Sequence, residues 1–367
     1  MNRTMMRIER WTPDQLARRQ GDWSALLARS DADPLACSPE WLLAWWEIHA
    51  PLLDLEPVFL AAMRQDELAG LGLFSLSDVR HKGGLRGRRL ELVGNAWRRE
   101  GMGVSERAGL VVDRHDDEQI AGALLAHAFE IGGFDDMVVH YAELGSATDR
   151  AVSAMAREVS GYLRRADALE AWAVPLEAGF KSFVGKLGTG TRVRVMGGRR
   201  RMKIAGHVRE RRSDAGTLDD FLQVMDGLHR ERWGRPLFNG PWGDFHAEIA
   251  HRQTARGVPV VSLLEFDGQP VSAMLNFRAG RTEYTLQSAL TESPVRRASP
   301  GWVHLGFAIE RAAADGMAWF DLLGGEGKNT QYKAALRGEH SEIACLQVIR
   351  SPVLKAAYRA WDRIPRS

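Results

Sequence analysis

The stretch Ser299–Gly338, SPGWVHLGFAIERAAADGMAWFDLLGGEGKNTQYKAALRG, carries the strongest fold signal in the chain. Apolar residues at helical spacing predict an amphipathic helix over Trp302–Ala314, and the apolar run Met317–Leu323 predicts a buried strand. A polar, glycine-rich loop and a second short helix follow that strand. This order of elements predicts an α/β unit with polar side chains gathered where the strand ends.

The start of the first helix has the composition of an anion-binding turn. Ser299 and Pro300 suit the N-cap and first helical position, where free backbone N–H groups and the helix dipole attract anions. Two arginines stand just upstream. The candidate anion-binding residues are therefore Arg296, Arg297, Ser299 and Gly301. A solvated turn before an ordinary capped helix explains the serine and proline equally well.

A second basic segment, Thr191–Arg212, contains a single acidic residue. In helical register Arg192, Arg199 and Lys203 share one face, where clustered cations can grip phosphate groups. The glycine pair at 197–198 predicts a break in this helix. An exposed, solvated helix is the alternative interpretation.

The aromatic residues fall into two groups. Trp41 and Trp45 lie four apart in a helical pattern, which predicts burial in the core. Trp233 and Trp242 lie in a stretch rich in glycine and proline that predicts a loop. We expect this loop to cover an apolar substrate pocket, with a loop pinned by its own aromatics as the alternative.

One pattern recurs along the chain. Glu56–Leu76 and Val258–Ala279 both predict hairpins with a polar turn. The first hairpin is followed by a helix over Asp117–Glu130 and a strand over Phe134–Tyr141, as the second is followed by the helix and strand described above. A chain of 367 residues exceeds a usual single domain. We therefore predict two lobes, residues 1–170 and 171–367, the second holding the donor site and the basic helical segment.

Three segments together resemble a group of acyltransferases. They are Ser38-Pro39-Glu40-Trp41 with Trp45-Trp46, the basic stretch Thr191–Arg212, and Trp319–Glu326 followed by Tyr332-Lys333. Their order is similar to that in GNAT-superfamily proteins with two GNAT-like halves: cellulose-biosynthesis-type acetyltransferases, Fem aminoacyltransferases and bacterial ceramide synthases. The resemblance implies an α/β fold of two tandem GNAT-like lobes, each a mixed, mostly antiparallel sheet flanked by helices.

The resemblance also implies a donor site. GNAT proteins bind the pyrophosphate of coenzyme A at a loop of the type Arg/Gln-x-x-Gly-x-Gly/Ala before a helix. The corresponding stretch here is Arg296–Gly301, in which Ser299 stands in place of the central glycine. Acyl-coenzyme A is then a co-substrate, and no permanently bound cofactor is expected.

Amide formation from a thioester needs a base for the amine and an acid for the leaving thiolate. The resemblance places Tyr332 near the thiolate, while Asp321 and Glu326 flank the strand end as candidate bases. Lys333 is the candidate for holding an anion or a carbonyl oxygen. The alternatives are a loop cap for the aspartate and an aromatic anchor for the tyrosine.

Composition limits the class of protein. Apolar content is 45%, charged content is 26% and net charge is +2, as in soluble globular proteins, and we expect no DNA partner. Cys37 and Cys345 cannot form a disulfide framework, and His246 and His251 lack a third ligand, so no metal site is expected. With no apolar leader or span, we expect a cytoplasmic protein that can touch the inner membrane through a basic helix over Val353–Ile364.

The resemblance thus implies an enzyme that moves an acyl group from acyl-coenzyme A to an amine. The most concrete acceptor is a long-chain, sphingoid-type lipid amine, as in bacterial ceramide synthesis. The alternatives are an aminoacyl-tRNA-dependent Fem-like transferase, an acetyltransferase of exopolysaccharide synthesis, and a non-catalytic acyl- or anion-binding module. Transfer RNA is the less expected partner.

Overall fold

A computed structural model describes residues 6–325 and 331–363. The chain divides into two compact units: Met1–Leu169 together with Glu342–Ser367, and Glu170–Ser341. The lobe limits expected from sequence, 1–170 and 171–367, differ from this division at the C-terminal end. The last segment groups with the first unit because its strand pairs there and its helix packs there, burying Leu354 and Tyr358 beside Ile349.

The strands and helices are labelled in chain order. The strands are β1 Met6–Trp11, β2 Glu56–Arg64, β3 Glu67–Arg80, β4 Arg86–Leu92, β5 Val111–Val112, β6 Asp136–Glu143, β7 Tyr162–Pro175, β8 Val208–Arg212, β9 Val261–Phe266, β10 Gln269–Ala279, β11 Thr282–Leu290, β12 Trp319–Asp321 and β13 Glu339–Ile349. The helices are α1 Pro13–Arg18, α2 Gln20–Ala28, α3 Pro39–Leu53, α4 Asp117–Ile131, α5 Ala147–Glu158, α6 Gly179–Lys186, α7 Thr189–Arg192, α8 Gly198–Ala205, α9 Leu218–Trp233, α10 Gly240–Ala255, α11 Pro300–Ala314, α12 Gln331–Ala335 and α13 Pro352–Asp362.

In the first unit the strand order is β1-β2-β3-β4-β6-β13, and the short β5 pairs with β3. Neighbouring strands are antiparallel except β4 and β6, which are parallel. Helices α4 and α5 contribute Leu124, Leu125 and Val152 to the core of this unit. Trp41 and Trp45 are buried on α3, as their spacing predicted.

In the second unit the strand order is β8-β9-β10-β11-β12-β7. Neighbours are again antiparallel except β11 and β12, which are parallel. Helix α11 buries Val303, Ala308 and Ile309 in the core.

The two units therefore share one pattern: a hairpin, a further antiparallel strand, a helix and then a parallel strand. The predicted hairpins, helices and following strands are confirmed in both halves. The predicted α/β class, with mixed, mostly antiparallel sheets flanked by helices, is confirmed as well.

One local prediction is wrong and another is confirmed in part. The glycine pair 197–198 does not break the basic helix, because both residues keep right-handed helical angles and a π-helical turn, Val193–Gly197, joins α7 to α8. The predicted aromatic loop is confirmed at residues 234–239, but its two tryptophans lie in the flanking helices, since Trp233 ends α9 and Trp242 lies in the first turn of α10. Among the described helices, none combines the length and the hydropathy that a membrane crossing requires.

Candidate active site in the second unit

The end of β12 places Asp321 below the surface. The side chain is buried, and its Oδ1 accepts a hydrogen bond of 2.6 Å from the backbone N–H of Leu323. Leu323 itself has a φ of 58°, in the left-handed region. The carboxylate thus stabilises a tight turn directly after the strand, which is the loop-cap role that the sequence left open.

The same turn is held from the other side by Lys333. This side chain is buried on α12, and its Nζ donates to the carbonyl oxygen of Leu323 at 3.0 Å and also to that of Gly324. Burying an ammonium group is costly unless it is hydrogen-bonded, and the carbonyl oxygens supply that compensation. The lysine therefore fixes the backbone after β12.

Tyr332 precedes this lysine and is partly buried. Its ring meets that of Trp302 on α11 edge to face, with 6.1 Å between centroids. Burial raises the pKa of the Tyr332 phenol above its ordinary value of 10.0, because a phenolate is poorly solvated there. The hydroxyl stays protonated at neutral pH and is chemically suited to donating a proton. The candidate base Glu326 lies outside the described residues.

The first turn of α11 retains the features of an anion site. Ser299 is the N-cap residue and Pro300 the first helical residue, yet the serine hydroxyl makes no capping bond to the described residues. The first turn contains no acidic side chain, and Arg296 and Arg297 are exposed just before it. The helix N-terminus and the two guanidinium groups thus present positive charge to solvent.

The basic segment packs directly against this turn. Nε of Arg201, on α8, donates to the carbonyl oxygen of Arg297 at 2.9 Å. Arg194, in the π-helical turn, lies over the ring of Trp302, with its guanidinium carbon 5.5 Å from the centroid. Two basic segments about a hundred residues apart in sequence therefore meet at the start of α11, with Tyr332 beside them.

The arginines that reach this turn are not those selected from sequence. Arg192 donates to the carbonyl oxygens of Val184, Gly185 and Leu187 and so caps α6. Arg199 pairs with Glu310 and lies 3.7 Å over the Phe307 ring centroid. Lys203 is exposed on α8.

Trp233 and Trp242 flank the loop 234–239, and their rings contact different neighbours. Trp233 is 57% exposed, with its ring 6.4 Å from that of His229. Trp242 packs against His246, 4.1 Å between centroids, and near Phe238 at 6.3 Å. A pocket-covering role for the two tryptophans remains a proposal. Within residues 6–325 and 331–363, no group of His, Cys, Asp or Glu side chains is arranged to hold a metal ion.

A protein-family model matches a segment of the second unit. Residues 190–334 match the family model of the acetyltransferase (GNAT) domain, and this segment lies wholly within the second unit. A comparison with curated protein sequences finds no significant match.

Solved structures share the fold of both units. FemX superposes with a TM-score of 0.66 at 14% identity, covering 95% of this chain and 99% of that chain. The C-terminal domain of a putative lysylphosphatidylglycerol synthetase from Agrobacterium fabrum superposes with a TM-score of 0.55 at 11% sequence identity. The superposition covers 94% of this chain and 95% of the synthetase domain. L-PGS from Bacillus licheniformis superposes with a TM-score of 0.51 at 11% sequence identity, covering 92% of this chain and 93% of the L-PGS chain. At these identities the similarity establishes the fold alone.

The protein therefore has a GNAT-type acyltransferase fold and is an acyltransferase. None of the three comparisons tests the resemblance to bacterial ceramide synthases or the choice of donor.

Proposed function

We propose that the protein transfers an acyl group from acyl-coenzyme A to an amine, with the donor pyrophosphate held at the first turn of α11. The observation that carries this proposal is the meeting of the basic segment and the α11 N-terminus within the matched GNAT domain. Arg296, Arg297, Ser299 and Gly301 hold the donor in this proposal, and Arg194 and Arg201 border it.

The equivalent helix of the first unit lacks these features. The N-cap of α4 is Asp116, and Asp117 and Glu118 occupy its first turn. Three carboxylates at this position repel a pyrophosphate, whereas the first turn of α11 has none. This contrast favours a donor site in the second unit.

The proposed chemistry uses the side chains around β12. The amine nitrogen attacks the thioester carbonyl carbon, the carbon–sulfur bond breaks, and the departing thiolate takes the phenolic proton of Tyr332. Glu326 and Asp321 are the candidates for removing the proton from the amine. The backbone N–H of Leu323 donates to Asp321, which holds that carboxylate at the end of β12. Lys333 positions the turn through two carbonyl oxygens.

The proposed acceptor is a long-chain lipid amine of the sphingoid type. Helix α13 exposes Val353 and Trp361, and Nζ of Lys82 lies 4.5 Å over the Trp361 ring centroid. Apolar side chains beside a lysine suit peripheral contact with an anionic bilayer, where such an acceptor resides. Arg192, Arg199, Lys203, Trp233 and Trp242 remain proposed contacts for the acceptor or its anionic surroundings.

A panel of donors and acceptors tests the proposed function. Purified protein is given acetyl-coenzyme A, palmitoyl-coenzyme A or charged tRNA, each with a sphingoid base or an amino sugar, and amide formation is measured by mass spectrometry. We expect the fastest transfer from palmitoyl-coenzyme A to the sphingoid base.

The other outcomes select among the alternatives. Preference for acetyl-coenzyme A with the amino sugar favours an acetyltransferase of exopolysaccharide synthesis. Transfer that requires charged tRNA favours the Fem-like interpretation. Tight binding of a donor with no transfer in any combination contradicts catalysis and leaves a binding module.

A further inference from the structure

A second basic site lies wholly within the first unit. A groove of about 700 Å³ opens beside the turn that joins β3 to β4, and α13 contributes Tyr358 to its wall. This volume falls within the roughly 300–1,000 Å³ typical of ligand pockets. Seven cationic and two anionic side chains line it, so its charge is strongly positive.

Some of these cations are already neutralised. Arg88 pairs with Glu56 at 2.8 Å and Arg89 with Asp136 at 2.9 Å, while Arg98 lies 3.8 Å from Asp167. The two carboxylates of the groove are also engaged. Asp78 lies 3.8 Å from Arg88, and Asp135 accepts the backbone N–H of that arginine at 2.9 Å.

Three arginines remain without a carboxylate. In the part of the chain that the structure describes, Arg80, Arg86 and Arg99 have no acidic side chain within ion-pair distance. Arg80 and Arg86 are moreover direct cross-strand partners in the β3–β4 ladder. Like charges directly opposite each other destabilise a sheet, so this pairing leaves unbalanced positive charge at the groove.

The groove wall beside these arginines is closely packed. The Arg89 and Arg98 guanidinium carbons lie 4.9 Å and 4.4 Å from the ring centroid of Trp97, which is itself buried. Asp136, the partner of Arg89, also accepts a hydrogen bond of 2.6 Å from the side-chain amide of Gln347. These contacts fix the buried Arg89 at the groove, where Arg80, Arg86 and Arg99 are exposed to a ligand.

We propose that this groove binds the phosphoryl group of a phosphate-bearing ligand. Planar guanidinium groups bind phosphate oxygens through paired, charge-assisted hydrogen bonds, and a cleft of one sign concentrates anions. The phosphate belongs either to a soluble phosphorylated molecule or to a phospholipid headgroup. This site is separate from the donor site proposed at α11 and does not depend on it.

The test compares two double variants of equal charge. Arg80→Gln with Arg86→Gln removes the opposed pair, and Arg18→Gln with Arg157→Gln removes two exposed arginines from helices α1 and α5 of the same unit. Both are made in the Arg296→Ala, Arg297→Ala background, so the proposed donor site does not contribute. Circular dichroism melting checks folding, and loss of the opposed charges should leave the melting temperature unchanged or higher.

Binding is measured with two probes. Calorimetry uses inorganic pyrophosphate, and sedimentation uses vesicles of phosphatidylglycerol and phosphatidylcholine against vesicles of phosphatidylcholine alone. Whichever probe the background protein binds, we expect the Arg80, Arg86 double variant to bind it at least about tenfold more weakly than the Arg18, Arg157 control does. We also expect added salt to weaken the binding by the control.

The probe that binds identifies the source of the phosphate. Pyrophosphate binding indicates a soluble ligand, and binding of the anionic vesicles alone indicates a headgroup. Equal binding by the two double variants overturns the proposal, as does failure of the background protein to bind either probe.

Discussion

Burial against Trp302 keeps the Tyr332 hydroxyl protonated, and this sets what the residue can do. Its pKa is raised above 10.0 because the phenolate loses solvation. A group with this property can donate a proton over the whole neutral and mildly alkaline range. The neighbouring Lys333 cannot be used in the same way, because its ammonium group is bonded to the carbonyl oxygens after β12.

Replacement of Tyr332 tests its proposed role as the acid. We expect Tyr332→Phe to lower turnover by roughly 10²–10⁴-fold, the usual range for a general acid, with donor affinity unchanged. Since the pKa is raised, turnover of the unmodified enzyme should show no loss from tyrosine ionisation below about pH 10. Steady-state rates across pH provide the measurement.

Tyr162→Phe, which removes a hydroxyl from the first unit, is the matched control and should retain turnover. Wild-type turnover in Tyr332→Phe contradicts the assignment and leaves the ring as an anchor for α12.

At this scale the sequence predicted some roles and missed others. The N-cap and first-turn positions of Ser299 and Pro300 follow from residue preferences, and the structure has them there. The bonds made by Lys333 depend on a left-handed residue, Leu323, which no local preference indicates. Arg194 and Arg201 were missed because their proximity to Trp302 and Arg297 is tertiary.

Among the elements, the basic segment Thr191–Arg212 shows why a regular helical register did not place its cations on one face. The π-helical turn Val193–Gly197 inserts an extra residue between α7 and α8 and rotates the residues that follow. Arg192 and Arg199 therefore serve different neighbours instead of one common face. Turns of this kind are rare and occur often at functional sites, which agrees with the position of this one beside α11.

Close approach between this turn and α11 depends on Gly306. A Cβ atom at this position would lie 2.5 Å from Cγ1 of Val195, which is buried and β-branched and so has little freedom to move. We expect Gly306→Ala to destabilise the fold by about 1–3 kcal/mol through overpacking, despite the higher helix propensity of alanine. Urea unfolding measures the change.

Two further variants separate overpacking against Val195 from a general effect of placing alanine in a helix. Gly227→Ala, in α9, places its Cβ where no atom lies within 4 Å, and it should be neutral or stabilising. Val195→Ala should relieve the clash, so the double variant should be more stable than the sum of the single effects. Strict additivity of the two changes contradicts the packing argument.

Over the whole molecule, the repeated strand order was partly visible in sequence. The two hairpins are local and their alternating apolar pattern predicts them directly. The pairing partner of the sixth strand in each unit was not predictable. Strand β13 pairs with β6 about two hundred residues earlier, and β12 pairs with the end of β7. Such partners are chosen by tertiary packing, and this is why the C-terminal segment joins the first unit.

The second unit should lose stability in acid through His304. This side chain is fully buried between the hydroxyl groups of Ser262 and Ser272, at 2.9 and 3.0 Å, and burial lowers its pKa to about 3. The unfolded chain binds this proton near pH 6.5, so the stabilisation is complete above that pH and is lost as pH falls toward 3. The loss is about 1.4 kcal/mol per pH unit over that window.

Urea unfolding between pH 8 and about pH 4 measures this slope. His304→Gln removes the titrating group and should flatten the pH dependence relative to the unmodified protein. His207→Gln changes an exposed histidine of the same unit and should not. Identical slopes in all three proteins contradict the assignment of the acid loss to His304.

The central claim is that acyl-coenzyme A binds at the first turn of α11, and calorimetric titration tests it most directly. The unmodified protein is compared with the double variant that carries both Arg296→Ala and Arg297→Ala. The control is a second double variant, Arg235→Ala with Arg281→Ala, which removes two exposed arginines elsewhere in the second unit. Each lost charge-assisted contact costs about 1.5–3 kcal/mol, so the first variant should bind at least about tenfold more weakly while the control binds normally. Equal affinity in all three proteins would contradict the claim.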